Sequence, residues 1–313
     1  MNANGQTSST PDTGVVGAGG ATTRTAGTDT AEVNVTETSV AEPKGAATNL
    51  AAPNTALVEV THDAYGVPGV VRLTLNRPEA FNALSEALLD ALQASLASIA
   101  QTDTRVVVIA GAGRAFCAGH DLKEMRATPS LAYYQALFER CTKLMLTIQR
   151  LPQPVIARVH GIATAAGCQL VAMCDLAVAA DTARFAVSGV NLGLFCSTPS
   201  VPLSRNLSRK TALEMLLTGE FIDAHEARQQ GLVNRVVPDG ELDAAVAALA
   251  SSICAKPVEA VRAGKGLFYR QLEMGVEAAY QLAGQTMACN MMEASALEGV
   301  QAFIDKRAPD WRR

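Results

Sequence analysis

Val106-Val107-Val108-Ile109-Ala110 runs without a polar residue into Gly111-Ala112-Gly113, and the chain then reads Arg114-Ala115-Phe116-Cys117-Ala118-Gly119-His120-Asp121-Leu122-Lys123-Glu124. A second stretch repeats the plan: Pro154-Val155-Ile156-Ala157-Arg158-Val159, then Gly161-Ile162-Ala163, then Ala165-Ala166-Gly167-Cys168. In each, an apolar run with the length of a buried strand leads to a turn that opens a helix-like run. A turn of this kind leaves backbone N–H groups free at the mouth of a helix, where the dipole also favours negative charge. Two such turns aimed at one spot would supply the two donors of an oxyanion hole.

Outward from these stretches the same alternation continues. Leu57-Val58-Glu59-Val60 and Val70-Val71-Arg72-Leu73-Thr74-Leu75 read as strands, with Pro78 breaking the loop that follows. Ser85 is placed to cap a helix that carries Leu88, Leu89, Leu92, Leu96 and Ile99 on one face. A helix is expected around Leu131 to Arg150, and strands at Leu176–Ala180 and Arg184–Val187. From about Arg209 the pattern is helical: Lys210 to Leu217, Ala224 to Gln230, Glu241 to Ala255, and two or three more. Strands and helices that alternate and then give way to helices predict an α/β fold with a C-terminal helical region. Residues 1–54 are rich in Thr, Gly, Ala, Ser and Asn, lack any aromatic side chain and carry no helix or strand period, so a disordered low-complexity tail is expected. Asp12, Asp29, Glu32, Glu37 and Glu42 in it are unlike a mitochondrial presequence, and it has no apolar core of a secretory signal. The core is read as 55–255 and the helical region as 256–313.

Composition narrows the functional classes. The formal net charge is −4 with no basic stripe, which argues against nucleic acid as the main partner. No apolar run reaches the roughly 18 residues of a membrane span. The 7 cysteines are odd in number and lie mostly in apolar runs without metal-ligand spacing, as buried thiols in a reducing compartment do; no metal site is read. Gly111-Ala112-Gly113 after a strand invites a dinucleotide reading, but the third glycine of that fingerprint would fall on Phe116 and the helix begins too late.

These segments resemble the enoyl-CoA hydratase/isomerase (crotonase) superfamily. The resemblance rests on Leu75-Asn76-Arg77-Pro78 with Phe81-Asn82-Ala83-Leu84, on Arg114 to Glu124, on Gly161 to Cys168, on Ala212 to Leu217, on Ala224 to Leu232, and on Phe303 to Arg307. It covers about residues 56–312 in order. It implies a spiral of ββα units, ending in a helical region that builds trimers stacked into hexamers. The ligand it implies is an acyl-CoA thioester, with coenzyme A as part of the substrate and no separate cofactor, in fatty-acid metabolism. The oxyanion-hole donors it assigns are the N–H groups of His120 and Ala166. Family members carry glycine at the second position; an alanine there keeps the donor if its backbone stays in an ordinary region.

The resemblance also places Ala80, Phe81, Asn82, Ala118, Asp121, Leu122 and Lys123 along the coenzyme A groove. Phe303 and Lys306 come from C-terminal helices that often belong to a neighbouring subunit, and Lys306 and Arg307 are candidates for the phosphates. The His120 ring is read either as a packing or cap group or as a contact to substrate. Asp121 is read as the carboxylate that starts a helix.

At the proton-transfer positions the chain departs from the family. Hydratases of this kind use two glutamates to hold and deprotonate water, and here those positions are Gln169 and Gly189. A third position used by related isomerases holds Ser197, beside Cys196, and no base for either is evident. The expectation is a protein that binds an acyl-CoA and polarises its thioester, enzyme-like in isomerase, lyase or thioester-hydrolase chemistry. The alternative is a catalytically silent acyl-CoA-binding or regulatory protein. A cytoplasmic location is expected, with the mitochondrial matrix as the alternative.

Overall fold

In the computed structural model, which describes residues 56–311, two sheets stand on a shared core. The tail read at 1–54 lies outside the described residues. The chain runs β1 (Val58–Thr61), β2 (Val70–Leu75), α1 (Glu86–Ile99), β3 (Val106–Gly111), β4 (Ala115–Cys117), α2 (Leu122–Ala127), α3 (Leu131–Arg150), β5 (Val155–Val159), β6 (Ile162–Thr164) and α4 (Ala166–Met173). It continues with β7 (Leu176–Ala180), β8 (Arg184–Ala186), α5 (Ser197–Asn206), α6 (Arg209–Thr218), β9 (Ile222–Asp223), α7 (Ala224–Gln230), β10 (Arg235–Val237), α8 (Leu242–Cys254), α9 (Val258–Leu272), α10 (Val276–Met291) and α11 (Ala294–Ile304).

The larger sheet has the order β1-β2-β3-β5-β7-β10, parallel except for the β1–β2 pair; the smaller has β4-β6-β8-β9. Each turn of the spiral gives one strand to the first sheet and the next to the second: β3 then β4, β5 then β6, β7 then β8. This is the crotonase architecture. Strand alternation explains the layering. Val71, Leu73, Val107, Ile109, Val155 and Ala157 face the main core with the leucines of α1, while Val70, Val106, Val108, Ile156 and Val178 face α8 through Leu242, Val246 and Ala250. Ser85 caps α1, its hydroxyl accepting from Leu88 N at 3.1 Å.

The last helices are tied to the spiral by one buried ion pair. Lys265 on α9 donates to Asp175 Oδ2 at 2.6 Å and to the carbonyls of Ile148 and Gln153, and Tyr269 donates to Asp175 Oδ1 at 2.8 Å. Beyond that tie, α9 to α11 bury little: Val276, Tyr280, Met292 and Phe303 are each three-quarters or more exposed. Among the described residues no single helix is long and apolar enough to cross a membrane.

Candidate functional site

Two parallel three-residue strands bring the turns together. β4 lies beside β6, with Ala115 opposite Ile162 and Cys117 opposite Ala163, so the chain leaving each strand arrives at the same edge. Thr164 Oγ1 donates to Ala118 O at 3.0 Å, fastening one turn to the other. Leu84 N donates to Gly119 O at 2.7 Å and Asp121 N to Leu84 O, while Ala165 N donates to Ala186 O. These bonds bracket His120 and Ala166 and leave both their N–H groups without a backbone acceptor among the described residues. Ala166 is the first residue of α4, a position whose N–H has no partner inside the helix.

Glycine is required where the turns touch. Gly119 has φ +93°, and a Cβ built there would lie 2.9 Å from Ala165 Cβ, 3.1 Å from Thr164 O and 3.3 Å from Ala166 N. A Cβ on Gly167 would overlap the Cys117 carbonyl, which holds α4 against β4. The strained residue of the second turn is Ala165, at φ 49° and ψ −119°. Such a backbone costs an alanine on the order of 1–3 kcal/mol. Ala166, the expected donor, stays in the ordinary helical region, which meets the condition the sequence reading set.

Both His120 ring nitrogens are shielded and lack a well-formed hydrogen bond among the described residues, and the ring meets the Phe138 edge at a centroid separation of 5.6 Å. Burial lowers its pKa from 6.5 to about 4, against a smaller raising from the Leu84 backbone, so the imidazole is neutral at pH 7. Phe138 stacks on Tyr134, whose hydroxyl donates to Met125 O at 3.0 Å, so an aromatic wall runs from His120 along α3. Asp121 caps α2, accepting from Lys123 N and Glu124 N, and pairs with Arg77 at 3.0 Å. Burial pushes its carboxyl up, but the Arg77 guanidinium and the two amides outweigh this and hold it below the usual range. It is a helix cap, as read from the sequence.

Gln169 lies one turn into α4 and is 4% exposed, with Oε1 lacking a donor among the described residues. Gly189 is buried, and a Cβ there would lie 2.5 Å from Leu194 O and 2.7 Å from Cys196 Sγ. The loop before α5 therefore fills the place a side chain at 189 would enter. Cys196 is buried and its thiol is raised by burial, against a smaller lowering from Gly189 N–H. Ser197 begins α5, is exposed, and donates to Phe195 O at 3.3 Å. Among the described residues neither has a base bonded to it.

The remaining groove residues divide. Ala80, Phe81, Ala118, Leu122 and Lys123 are partly or fully exposed around the first turn, and Arg114 lies over the Phe81 ring at 4.3 Å. Asn82 is a correction to the groove reading. It is fully buried at φ 55°, accepts from Arg77 N, and donates to Ala112 O and Ala115 O. Its side chain is committed to holding the loop before β4. Phe303 and Lys306 lie on and just after α11, which packs against α10, and Arg307 is paired with Glu298. Sequence reasoning missed Arg77 as Asp121's partner and Gly119 as the spacer between turns; the glycine between Ala118 and His120 was the available signal for the second.

Residues 67–313 match the family described as enoyl-CoA hydratase/isomerase. A solved structure of enoyl-CoA hydratase from Mycobacterium smegmatis is 64% identical, with TM-score 0.80, covering 82% of this chain and 99% of that one. The solved human enoyl Coenzyme A hydratase domain-containing protein 3 is 43% identical, with TM-score 0.78, covering 82% and 100%. Mitochondrial enoyl-CoA hydratase domain-containing protein 3 of Xenopus laevis is 47% identical over 244 residues, 78% of this chain and 83% of the relative.

Proposed function

The chain belongs to the enoyl-CoA hydratase/isomerase family, and on that premise we propose that it binds an acyl-CoA and polarises the thioester carbonyl between His120 N–H and Ala166 N–H. One observation carries the reading: the two turns lie so close that a Cβ added to Gly119 would come within 3.3 Å of Ala166 N, while both amides lack backbone acceptors among the described residues. A carbonyl oxygen between them would accept two hydrogen bonds, which strengthen as the oxygen gains charge. The α-carbon protons become more acidic and the carbonyl carbon more electrophilic. A neutral His120 ring adds no competing positive charge.

Ordinary hydration is disfavoured. Adding water across an α,β double bond needs a group that takes the water's proton and one that delivers a proton to the α-carbon. Gln169 titrates in neither sense, and Gly189 has no side chain. The carbonyl-polarising half of the machinery is retained, which favours chemistry through an enolate or a tetrahedral intermediate. A catalytically silent acyl-CoA-binding protein is the second reading. It is favoured by the filled space at Gly189, where a carboxylate would have to displace the Leu194 carbonyl.

Calorimetry with an acyl-CoA and with the matching thioether, which lacks the carbonyl, tests the clamp. Binding of the acyl-CoA about tenfold tighter is expected, the worth of one net hydrogen bond. Equal affinities overturn the clamp, and no binding of either overturns acyl-CoA as the ligand. Turnover across enoyl-, dienoyl-, malonyl-type and saturated acyl-CoAs separates enzyme from silent binder.

The exposed apolar residues of α9 to α11 support assembly of copies through this region, as a trimer or hexamer. The relatives named enoyl-CoA hydratase domain-containing protein 3 are named mitochondrial, which supports the matrix alternative and gives a cytoplasmic location no support.

A further inference from the structure

On the α8 side of the larger sheet, the first halves of the strands are apolar and covered, while the second halves are polar and open. The register explains the hollow. Glu59 stands opposite Thr74, Thr74 opposite Ala110, and Ala110 follows Ile109, whose partner Ala157 precedes Arg158. One row across four strands thus reads Glu59, Thr74, Ala110, Arg158, with the two small side chains in the middle. Arg72 lies two residues before Thr74 on the same face. The result is an open cleft of about 330 Å³, lined also by Gly113, His160 and Asp239.

Some charges in this cleft are settled and others are not. Arg158 pairs with Asp243 and donates to His160 Nδ1, and His160 Nε2–H then donates to Gly113 O at 2.8 Å. Arg72 makes no ion pair among the described residues. Its guanidinium lies over the Tyr65 ring at 5.5 Å and interacts with the Tyr65 hydroxyl, while its buried Nε–H has no well-formed acceptor among the described residues. Glu59 turns instead to Asn76 Nδ2, and neither Glu59 nor Asp239 has an ion-pair partner among the described residues. The cation is half-buried at the floor and the two carboxylates are exposed at the rim.

We infer that this cleft is a second ligand site, for a small zwitterion of the α-amino-acid class. Its carboxylate accepts from Arg72 and its ammonium donates to Glu59 and Asp239. Glu59 and Arg72 are diagonal neighbours across the β1–β2 pair, so their side chains reach into the same space. A lone anion would meet the two carboxylates, and a lone cation would leave Arg72 without a partner. The cleft floor also leads to the two turns: Gly113 precedes His120 by seven residues and His160 precedes Ala166 by six. The site stands whether or not an acyl-CoA is the ligand of those turns.

The test is ligand-observed NMR and calorimetry of the full chain with the twenty amino acids, with acetate and methylammonium as half-ligands. At least one amino acid should bind at or below about 1 mM, with each half-ligand at least tenfold weaker. Arg72→Met, which keeps the apolar stem, and Glu59→Gln, an exposed change that spares the fold, should each weaken binding about tenfold. Both should leave acyl-CoA binding intact. The inference is overturned if no amino acid binds, if the half-ligands bind equally well, or if binding survives unchanged in both variants.

Discussion

Gly119→Ala tests the spacing of the two amides directly. The substitution carries two separable costs. A non-glycine residue at φ +93° pays roughly 1–2 kcal/mol for the left-handed region. The new methyl would also lie 2.9 Å from Ala165 Cβ, closer than real Cβ atoms approach, and 3.1 Å from Thr164 O, a tight contact. Overpacking of that degree costs about 1–3 kcal/mol. The sum, about 2–5 kcal/mol, does not exceed the ~5–15 kcal/mol of an ordinary fold, so the variant should remain folded. Gly66→Ala is the control: φ is +70°, but nothing lies within 4 Å of the built Cβ, so it pays the backbone term alone. Urea denaturation of the two variants should differ by the overpacking term.

The methyl at Gly119 presses the first turn from the second, and it stands 3.3 Å from Ala166 N. A carbonyl oxygen needs about 2.9 Å to both amides at once. Acyl-CoA affinity measured by calorimetry should therefore fall about tenfold or more, and any turnover by roughly 10²–10³, as on loss of one hole donor. Gly66→Ala should change neither. A folded Gly119→Ala protein that binds acyl-CoA as the parent does would refute the geometry argued for the site.

Further outcomes follow from other groups. The His120 pKa is depressed from 6.5 to about 4, so its contribution to stability is complete above pH 6.5 and is lost as pH falls toward 4. Denaturation curves should lose up to about 3 kcal/mol across that window relative to His120→Leu; parallel profiles would remove the burial argument. Lys265→Met leaves Asp175 buried without its counter-charge and should cost about 3–5 kcal/mol, partly recovered by adding Asp175→Asn; a neutral single variant would contradict the tie to α9. Gln169→Glu is isosteric and should fold, with a stability loss larger at pH 8 than at pH 5, because a buried carboxylate without a donor resists ionisation. Gly189→Glu should be the more disruptive of the two by thermal melting, since its Cβ meets the Leu194 carbonyl; the reverse order would show that the loop yields freely. Finally, Tyr280→Glu with Phe303→Glu should reduce the sedimenting mass, whereas an unchanged mass would place assembly elsewhere.

Long periodic elements were legible from the residues alone. The expected helices over Leu131–Arg150 and Ala224–Gln230 stand at those bounds, and Ser85 caps α1 as read. Short elements were not. β4 and β6 have three residues each, too few to show a period, yet their pairing joins the two turns. α5 was not read from the sequence; it carries Pro199 and Pro202, with Pro202 buried inside the helix, where proline is ordinarily disfavoured.

By itself, then, the sequence determined the order of the spiral, the identity of the two turns, and the lack of a titratable group at Gln169 and Gly189. These depend on residue type and on patterns within a few residues of one another. Only the tertiary structure decided that Ala165 rather than Ala166 bears the strain. The same holds for the commitment of Asn82 to its own loop, and for the Leu194 carbonyl and Cys196 sulfur that close the space at Gly189. Each of these is set by how the loop folds in three dimensions, and such a distance has no trace in residue type or hydrophobic period.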